Sequence, residues 1–282
     1  MRVSILKGRL LDPLNNLDAQ QDLFIADGKI VGIKKKPSGF KADLEIDAKD
    51  KTVIPGLIDL CARLREPGYE YKATFDTECL AASSSGITTI CCPPDSKPVI
   101  DTTAVVDLIQ QRTNDTNLTH VYPLAALTLG LQGEQLSEID TLKQAGCIGV
   151  SNALMPMENT EVLRRAFEYA HSCDMTVFFF AEDHALKNNG TAHEGPISTR
   201  LGLPPIPETA ETVALSRALL LVEQTNVHAH FCRISSARAV KLIQAAQAEG
   251  LPVTADVAIC NLHLTEIDIA DYNSSCHLQP PL

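Results

Sequence analysis

Short apolar runs separated by turn residues fill the first 51 residues of the chain. The apolar segments 23–25 and 29–33 flank Ala26-Asp27-Gly28. Asp-Gly between two apolar runs is a strong β-hairpin signal, because both residues tolerate the left-handed backbone of a tight turn. We therefore predict a small all-β unit over residues 1–51.

From residue 52 onward, short β-branched runs alternate with longer segments of helical periodicity. The predicted strands are residues 53–54, 87–92, 120–125, 147–150, 176–180, 227–231 and 253–257. The predicted helices are residues 75–84, 102–112, 134–145, 160–172, 208–224 and 236–249. Strands that alternate with helices in this way form a parallel α/β sheet.

Two architectures are compatible with that alternation. A doubly wound sheet usually carries a glycine-rich phosphate loop after its first strand, and the sequence contains neither G-x-G-x-x-G nor a P-loop. A (β/α)8 TIM-type barrel needs eight units, and the chain offers seven strands before it ends at Leu282. We therefore predict an α/β barrel over residues 52–282 that is cut short before strand 8, and we expect the sequence to be a fragment of a longer chain.

Composition and charge narrow the classes of function. Apolar residues make up 45% of the 282 positions and charged residues 21%, as in an ordinary globular domain. The 24 basic and 35 acidic residues give a formal net charge of −11, which disfavours binding to nucleic acid. No apolar stretch approaches the ~20 residues that span a bilayer, so no membrane partner is expected. The nine cysteines, an odd number set in apolar runs, indicate free thiols in a reducing cytoplasm.

Residues 55–68 read P-G-L-I-D-L-C-A-R-L-R-E-P-G. This stretch resembles the P-G-x-[IV]-D-x-H-x-H-L-R-E-P-G motif of the dihydroorotase branch of the amidohydrolase superfamily. Further stretches resemble motifs of the same branch in the same order: residues 86–98, 127–134, 146–152, 180–183, 195–208, 230–236, 262–266 and 279–282. The resemblance implies a TIM-type barrel of the amidohydrolase kind with a small N-terminal β-sandwich, zinc at the barrel mouth and hydrolysis of a cyclic amide.

The positions that hold zinc in this branch carry other residues here. They correspond to Cys61, Arg63, Ser151, Asn152, Phe180 and Arg233. A thiolate can bind zinc, whereas arginine stays protonated and has no lone pair to give. A hydrolytic zinc site needs about three protein ligands, which Cys61 alone does not supply. The resemblance therefore implies a degenerate site with no metal, no cofactor and no catalytic residues.

Two arginines at former metal positions would return positive charge to the barrel mouth. We expect Arg63 and Arg233 to pair with nearby carboxylates, and the candidates are Asp59, Glu182 and Asp183. The alternative is that both side chains extend into solvent.

The substrate positions of the branch correspond to Arg65, which is kept, and Asp95, which stands where the branch has asparagine. In the branch this arginine binds the substrate carboxylate, a task that suits a bidentate guanidinium. The added carboxylate of Asp95 would repel such a substrate, so we interpret both positions as vestigial. Arg65 is expected to pair within the chain, with Glu66 or Asp95.

The resemblance extends to a degenerate, non-catalytic type of dihydroorotase homologue. It implies a structural subunit for the aspartate carbamoyltransferase catalytic chain in de novo pyrimidine biosynthesis, within a large hetero-oligomer in the cytoplasm. One alternative is an active zinc amidohydrolase that rebuilds its site from unmatched ligands such as Cys61, His184 or His230. A second is a regulatory protein that binds a metabolite through Arg65. We expect His228 and His230 to be packed, and His184 and His193 to lie at the surface.

Overall fold

The computed structural model describes residues 1–269 and 271–282. It divides the chain into two compact units, Met1–Leu57 and Ile58–Leu282. Within the described residues, no helix combines the length and the apolar character needed to cross a bilayer.

The boundary between the units lies beyond the predicted one at residue 51. Thr52 and Val53 pair in parallel with Arg9 and Leu10 of the first unit. The prediction that residues 53–54 form the first barrel strand is therefore wrong. That strand is Leu57–Asp59, which pairs with Ile87–Cys92. Two short extended segments only three residues apart look alike in sequence, and only their pairing separates them.

The first unit is one hydrogen-bonded sheet. Its strands are β1 (Arg2–Asp12), β2 (Leu17–Ala26), β3 (Lys29–Ile33), β4 (Leu44–Asp47) and β5 (Thr52–Val53). The predicted hairpin joins β2 to β3, with Asp27 and Gly28 both at positive φ. The register of β1 shifts between Ile5 and Gly8, and β4 and β5 pair with its successive halves. In residues 1–57 the β-sandwich implied by the resemblance thus takes the form of a single connected sheet.

Most strands of the second unit build the barrel wall, and two of them form a separate pair. The strands are β6 (Leu57–Asp59), β7 (Ile87–Cys92), β8 (His120–Pro123), β9 (Ala125–Ala126), β10 (Gly149–Ser151), β11 (Thr176–Phe179), β12 (Ala192–His193), β13 (Pro205–Ile206), β14 (Ala229–Phe231) and β15 (Val253–Ala255). The hydrogen-bonded orders are β6-β7-β8 and β9-β10-β11-β14-β15, while β12 pairs with β13. Only Leu124 separates β8 from β9, so seven wall positions follow one another in chain order. Every predicted strand from residue 87 onward overlaps an observed one.

Helices connect consecutive wall strands. They are α1 (Phe75–Ser84), α2 (Thr103–Thr116), α3 (Ile139–Gln144), α4 (Thr160–Ser172), α5 (His184–Lys187), α6 (Pro196–Leu201), α7 (Thr209–Thr225) and α8 (Ala237–Ala248). The described residues also contain 3-10 turns, at Pro13–Asn15, Leu129–Leu131, Ile259–Leu262, Glu266–Ile269 and Ser274–Cys276. Side chains cap several helices: Asn159 Oδ1 accepts from the first turn of α4, and Ser236 Oγ from Ala239 N of α8.

The predicted helix 134–145 is shorter in the structure because its first residues have another role. Leu136 bridges to Thr128, and Ser137 N donates to the Leu127 carbonyl. These contacts hold the chain in an extended path until α3 begins at Ile139. The short helices α5 and α6 were not predicted, because neither is long enough to show a helical period.

The core lies between the parallel strands and the helices outside them. Phe179 of β11 packs edge-on against Phe167 of α4 and Phe231 of β14, with ring centroids 5.9 and 6.3 Å apart. Phe178, on the other face of the strand, belongs to a small cluster with Cys91, Leu124 and Cys232. The aromatic contacts fix β11 and β14, and with them the loops that follow both strands.

Candidate functional site

The expected site residues lie where the wall strands end. Cys61 and Arg63 follow β6, and Asp95 follows β7. Ser151 ends β10 and is followed by Asn152, Phe180 comes directly after β11, and Arg233 comes two residues after β14. Because parallel strands end at one edge of the sheet, these residues share one end of the barrel.

The loops after β6 and β7 approach each other closely. Lys97 N donates to the Pro67 carbonyl at 3.0 Å. Gly68 has φ +98°, and a Cβ atom there would lie 2.3 Å from the Lys97 carbonyl oxygen. Only glycine fits this conformation and this approach. The contact places the Arg63 segment beside Asp95.

Arg63 forms a largely buried ion pair. Its Nε donates to Asp95 Oδ2 at 2.6 Å, with 11% of the Arg63 side chain and 27% of the Asp95 side chain exposed. Burial opposes the charge on Arg63, but the Asp95 carboxylate outweighs it and raises the pKa of the guanidinium. Arg63 Nη2 is buried without a hydrogen-bond partner in the described chain. A fixed cation therefore lies at a position where the family resemblance implies a metal ligand.

The partner of Arg63 differs from the expected carboxylates, each of which has another contact. Asp59 Oδ1 accepts from Cys61 N at 2.9 Å. Glu182 pairs with Lys187 at 2.7 Å, and Asp183 Oδ1 caps α5 through Leu186 N. Arg63 thus pairs with a carboxylate, as expected, but the expected partners were wrong, because the carboxylate is that of Asp95.

Among the residues that the structure describes, the Arg233 side chain pairs with no carboxylate. Its Nη1 donates to the Gln279 carbonyl at 3.1 Å, and its Nη2 lies 3.9 Å from Cys61 Sγ. Its backbone is left-handed, with φ 56°, and its N–H donates to Asp256 Oδ1 at 2.6 Å. The expectation of a second arginine–carboxylate side-chain pair is wrong, because the Arg233 guanidinium donates to the backbone carbonyl of Gln279 instead.

Asn152 ties the ends of β10 and β11 together. Its Oδ1 accepts from Phe180 N at 2.9 Å, and its Nδ2 donates to the carbonyls of Phe180 and Met155 at 3.0 and 2.8 Å. Ser151 Oγ accepts from Ala153 N, and the Phe180 ring is buried. The Asn152 amide and the Ser151 hydroxyl therefore both help to hold the loops.

The expected pairing of Arg65 is also wrong. Glu66 Oε1 accepts from Arg112 Nε at 2.7 Å and Glu66 Oε2 from Phe75 N at 3.0 Å, while Asp95 holds Arg63. Arg65 has a left-handed backbone, with φ 66°, and lines an open cavity of about 390 Å³. Arg63 and Arg233 line the same cavity, with Asp95 as the carboxylate among its lining residues. A cavity lined by three guanidinium groups and one carboxylate can bind an anion.

Zinc does not fit the positions at which the family resemblance implies it. Arg63 and Arg233 have no lone pair to give, and Phe180 has no donor atom. The Asn152 amide is fully hydrogen-bonded. Burial raises the pKa of the Cys61 thiol, which remains as the one metal-binding group of the set. One thiol does not hold a hydrolytic zinc ion.

His230, which the sequence analysis named, belongs to a polar cluster at β14 and β15 whose other members, Thr254 and Asp256, it did not single out. His230 Nδ1 is 2.8 Å from Thr254 Oγ1, and His230 Nε2 is 3.0 Å from Asp256 Oδ2. His230 is buried, as expected. His228 was also expected to be packed, but it is exposed. His184 is exposed and His193 is half-buried. The alternation of His230 with Cys232, and of Thr254 with Asp256, was the available signal, since residues two apart share a face of a strand.

Comparison with known proteins places these observations in a family. A family model described as dihydro-orotase-like matches residues 50–239. A dihydroorotase-like protein of Pseudomonas aeruginosa is 48% identical over 282 residues, which is 100% of this chain and 67% of that protein. The chain belongs to the dihydroorotase-like family. A dihydroorotase of Syntrophus aciditrophicus is 39% identical over 283 residues, covering 100% of the chain and 66% of that relative.

Solved structures confirm the predicted barrel fold. An L-hydantoinase (dihydropyrimidinase) from Arthrobacter aurescens superposes with a TM-score of 0.81 at 23% identity, over 99% of this chain and 63% of that one. A D-hydantoinase superposes with the same TM-score of 0.81 at 22% identity, over 100% and 63%. The chain thus spans about two thirds of the length of its dihydroorotase-like relatives and 63% of these structures.

Proposed function

We propose that this member of the dihydroorotase-like family is non-catalytic. It acts as a structural subunit for the aspartate carbamoyltransferase catalytic chain, in a large hetero-oligomer of the cytoplasmic pyrimidine pathway. The observation that carries the non-catalytic part is the Arg63–Asp95 pair, which puts a fixed cation where the family resemblance implies a zinc ligand. Phe180 and the fully bonded Asn152 remove two more ligand positions.

The assembly role rests on the resemblance and on what the fold retains. The seven wall positions of the chain, its helix caps and its loop contacts are well formed, while the matched metal positions carry no adequate ligand set. A protein that keeps its fold but has no catalytic site can still function through a surface that binds a partner. The relatives named dihydroorotase support the alternative of an active enzyme, which would need ligands outside the matched positions.

The test uses the protein at its natural length, expressed with and without the aspartate carbamoyltransferase catalytic chain. We expect no dihydroorotase turnover, with the Syntrophus aciditrophicus dihydroorotase as the positive control. We also expect the two chains to elute together as one large complex on size-exclusion chromatography. Turnover at a rate comparable with the control overturns the non-catalytic assignment. Separate elution, with the transferase assembled and active alone, overturns the structural role.

The cavity beside Arg65 favours a second candidate function, in which the protein binds an anionic metabolite without converting it. Arg63, Arg65 and Arg233 all line this cavity. Small dicarboxylates should then raise the melting temperature of the wild-type protein, because a ligand that binds the native state stabilises it. Arg65→Gln should remove the shift, whereas Arg165→Gln on the exposed face of α4 should retain it. The absence of any shift at saturating dicarboxylate excludes this function.

A further inference from the structure

The strands β14 and β15 bring three metal-binding side chains together. The strands pair in parallel with His230 opposite Thr254. The ligand atoms of His230, Cys232 and Asp256 all lie within 4.8 Å of one another. In the part of the chain that the structure describes, this is the group of three such residues close enough to share a metal ion. It uses none of the positions at which the family resemblance implies zinc.

In both His230 and Asp256, one side-chain atom makes a hydrogen bond that orients the residue, and a second atom is available to bind a metal ion. His230 Nδ1 contacts Thr254 Oγ1 at 2.8 Å, which leaves Nε2 directed toward Asp256. Asp256 Oδ1 accepts the Arg233 N–H at 2.6 Å, which leaves Oδ2 directed toward His230. A second hydrogen bond that orients a ligand in this way is typical of histidine and carboxylate ligands in metal sites.

The separation of the His230 and Asp256 ligand atoms suits a small divalent ion. Zinc lies about 2.0–2.2 Å from nitrogen and oxygen ligands, so two of them are about 3.3 Å apart in a tetrahedral site. The observed separation of His230 Nε2 and Asp256 Oδ2 is 3.0 Å, so the pair needs to open by only a few tenths of an ångström. His230 and Cys232 are 6% and 7% exposed, so a metal there would be shielded from water on most sides.

The charges balance as well. A Cys232 thiolate and an Asp256 carboxylate together neutralise a divalent cation, and the imidazole stays neutral. On binding, the Cys232 thiol releases its proton to solvent, and the imidazole carries its proton on Nδ1, where it donates to Thr254 Oγ1. The combination of thiolate, imidazole and carboxylate favours zinc and neighbouring transition metals over magnesium or calcium.

We propose that His230, Cys232 and Asp256 form a binding site for a zinc-like divalent transition metal, with the remaining coordination position taken by water. Without metal the same residues form a histidine–aspartate hydrogen bond beside a buried thiol. The site does not depend on the proposed structural role, since metal binding and association with the transferase are measured separately.

The test is metal uptake by the folded natural-length protein, with Zn²⁺ and Co²⁺ as the probes. We expect about one ion per chain and, for Co²⁺, a sulfur-to-cobalt charge-transfer band in the near ultraviolet. Cys232→Ser should abolish that band, and His230→Asn should remove stoichiometric uptake. Cys147→Ser is the matched control, because Cys147 is another buried thiol and lies outside the group. This variant should behave like the wild type.

Thr254→Val keeps the proposal testable if the ligand variants fail to fold. It removes only the group that orients His230, and should weaken Co²⁺ binding ~10–100-fold while the band remains. Absence of a thiolate band in the folded wild-type protein overturns the proposal. So does a band that persists in Cys232→Ser or disappears in Cys147→Ser. None of these readouts depends on dihydroorotase activity or on the transferase.

Discussion

Two neighbouring regions of the barrel mouth have opposite chemistry. At the ends of β6, β7, β10 and β11, the residues at positions where the family resemblance implies metal ligands make structural contacts: Arg63 with Asp95, and Asn152 with the backbone of Phe180. At the ends of β14 and β15, a histidine, a thiol and a carboxylate face one another. In the first region, direct protein contacts occupy the positions at which the family resemblance implies metal ligands, whereas the second region contains ligand-type groups.

The difference shows how a barrel mouth can lose one site without losing its order. A metal ion holds several strand ends together, and its removal leaves lone pairs and like charges behind. Here a buried ion pair and an amide clamp connect the same loops. Arg233 lies at the border, because its side chain reaches the Gln279 carbonyl and its backbone holds Asp256.

Asp95→Ala should give the largest loss of stability. It leaves the buried Arg63 guanidinium without its carboxylate, and breaking a buried pair from one side costs about 3–5 kcal/mol. The partial exposure of Asp95 places the expected loss near the lower end of that range. The measurement is the free energy of unfolding from urea titration. Combined replacement by Arg63→Met and Asp95→Leu should recover most of the loss, and an unchanged urea midpoint in Asp95→Ala would show that the pair contributes nothing.

Asn152→Ala should have the next largest effect. It leaves Phe180 N and the Phe180 and Met155 carbonyls without partners, and Asn152 is 1% exposed. A lost partner for a buried polar group costs about 1–3 kcal/mol, so we expect a loss of about 2 kcal/mol. Ser151→Ala, which removes a single bond to Ala153 N, is the matched control and should cost less. Equal losses in the two variants would mean that Asn152 does not clamp the strand ends.

Ion pairs on the outer face of α4 provide the exposed counterpart of the Arg63–Asp95 pair. The Arg164 hydrogen bond lowers the pKa of Glu161, with a smaller contribution from Arg165. A lowered pKa stabilises the fold above the ordinary glutamate range, and that stabilisation is lost as the pH falls through the lowered value. Glu161→Gln should therefore reduce stability slightly at neutral pH, and less in high salt. A loss as large as that of Asp95→Ala would remove the distinction between the buried and exposed pairs.

Strand alternation and motif order were sufficient to predict the barrel, because the hydrophobic period and the cap residues are local properties. The β5 segment and the start of α3 were misjudged, since pairing across the sheet decides both. Similarly, the family resemblance indicated at which positions to expect substitutions of metal ligands, but not which carboxylate Arg63 would contact. Asp95 lies 32 residues away, and the pairing of β6 with β7 and the loop contact at Gly68 bring the two together.

The smallest expected effect is on activity, in the double variant Cys61→His and Arg63→His. It restores both first-strand histidines of the family motif, yet Asn152, Phe180 and Arg233 still occupy the other matched positions. Two histidines fall short of the about three protein ligands that a hydrolytic zinc site needs. We therefore expect no dihydroorotase turnover with added Zn²⁺, together with a loss of stability because Asp95 loses Arg63. Turnover in this variant would mean that the other strand ends still support catalysis. The substitutions at Cys61 and Arg63 alone would then account for the difference between the two regions.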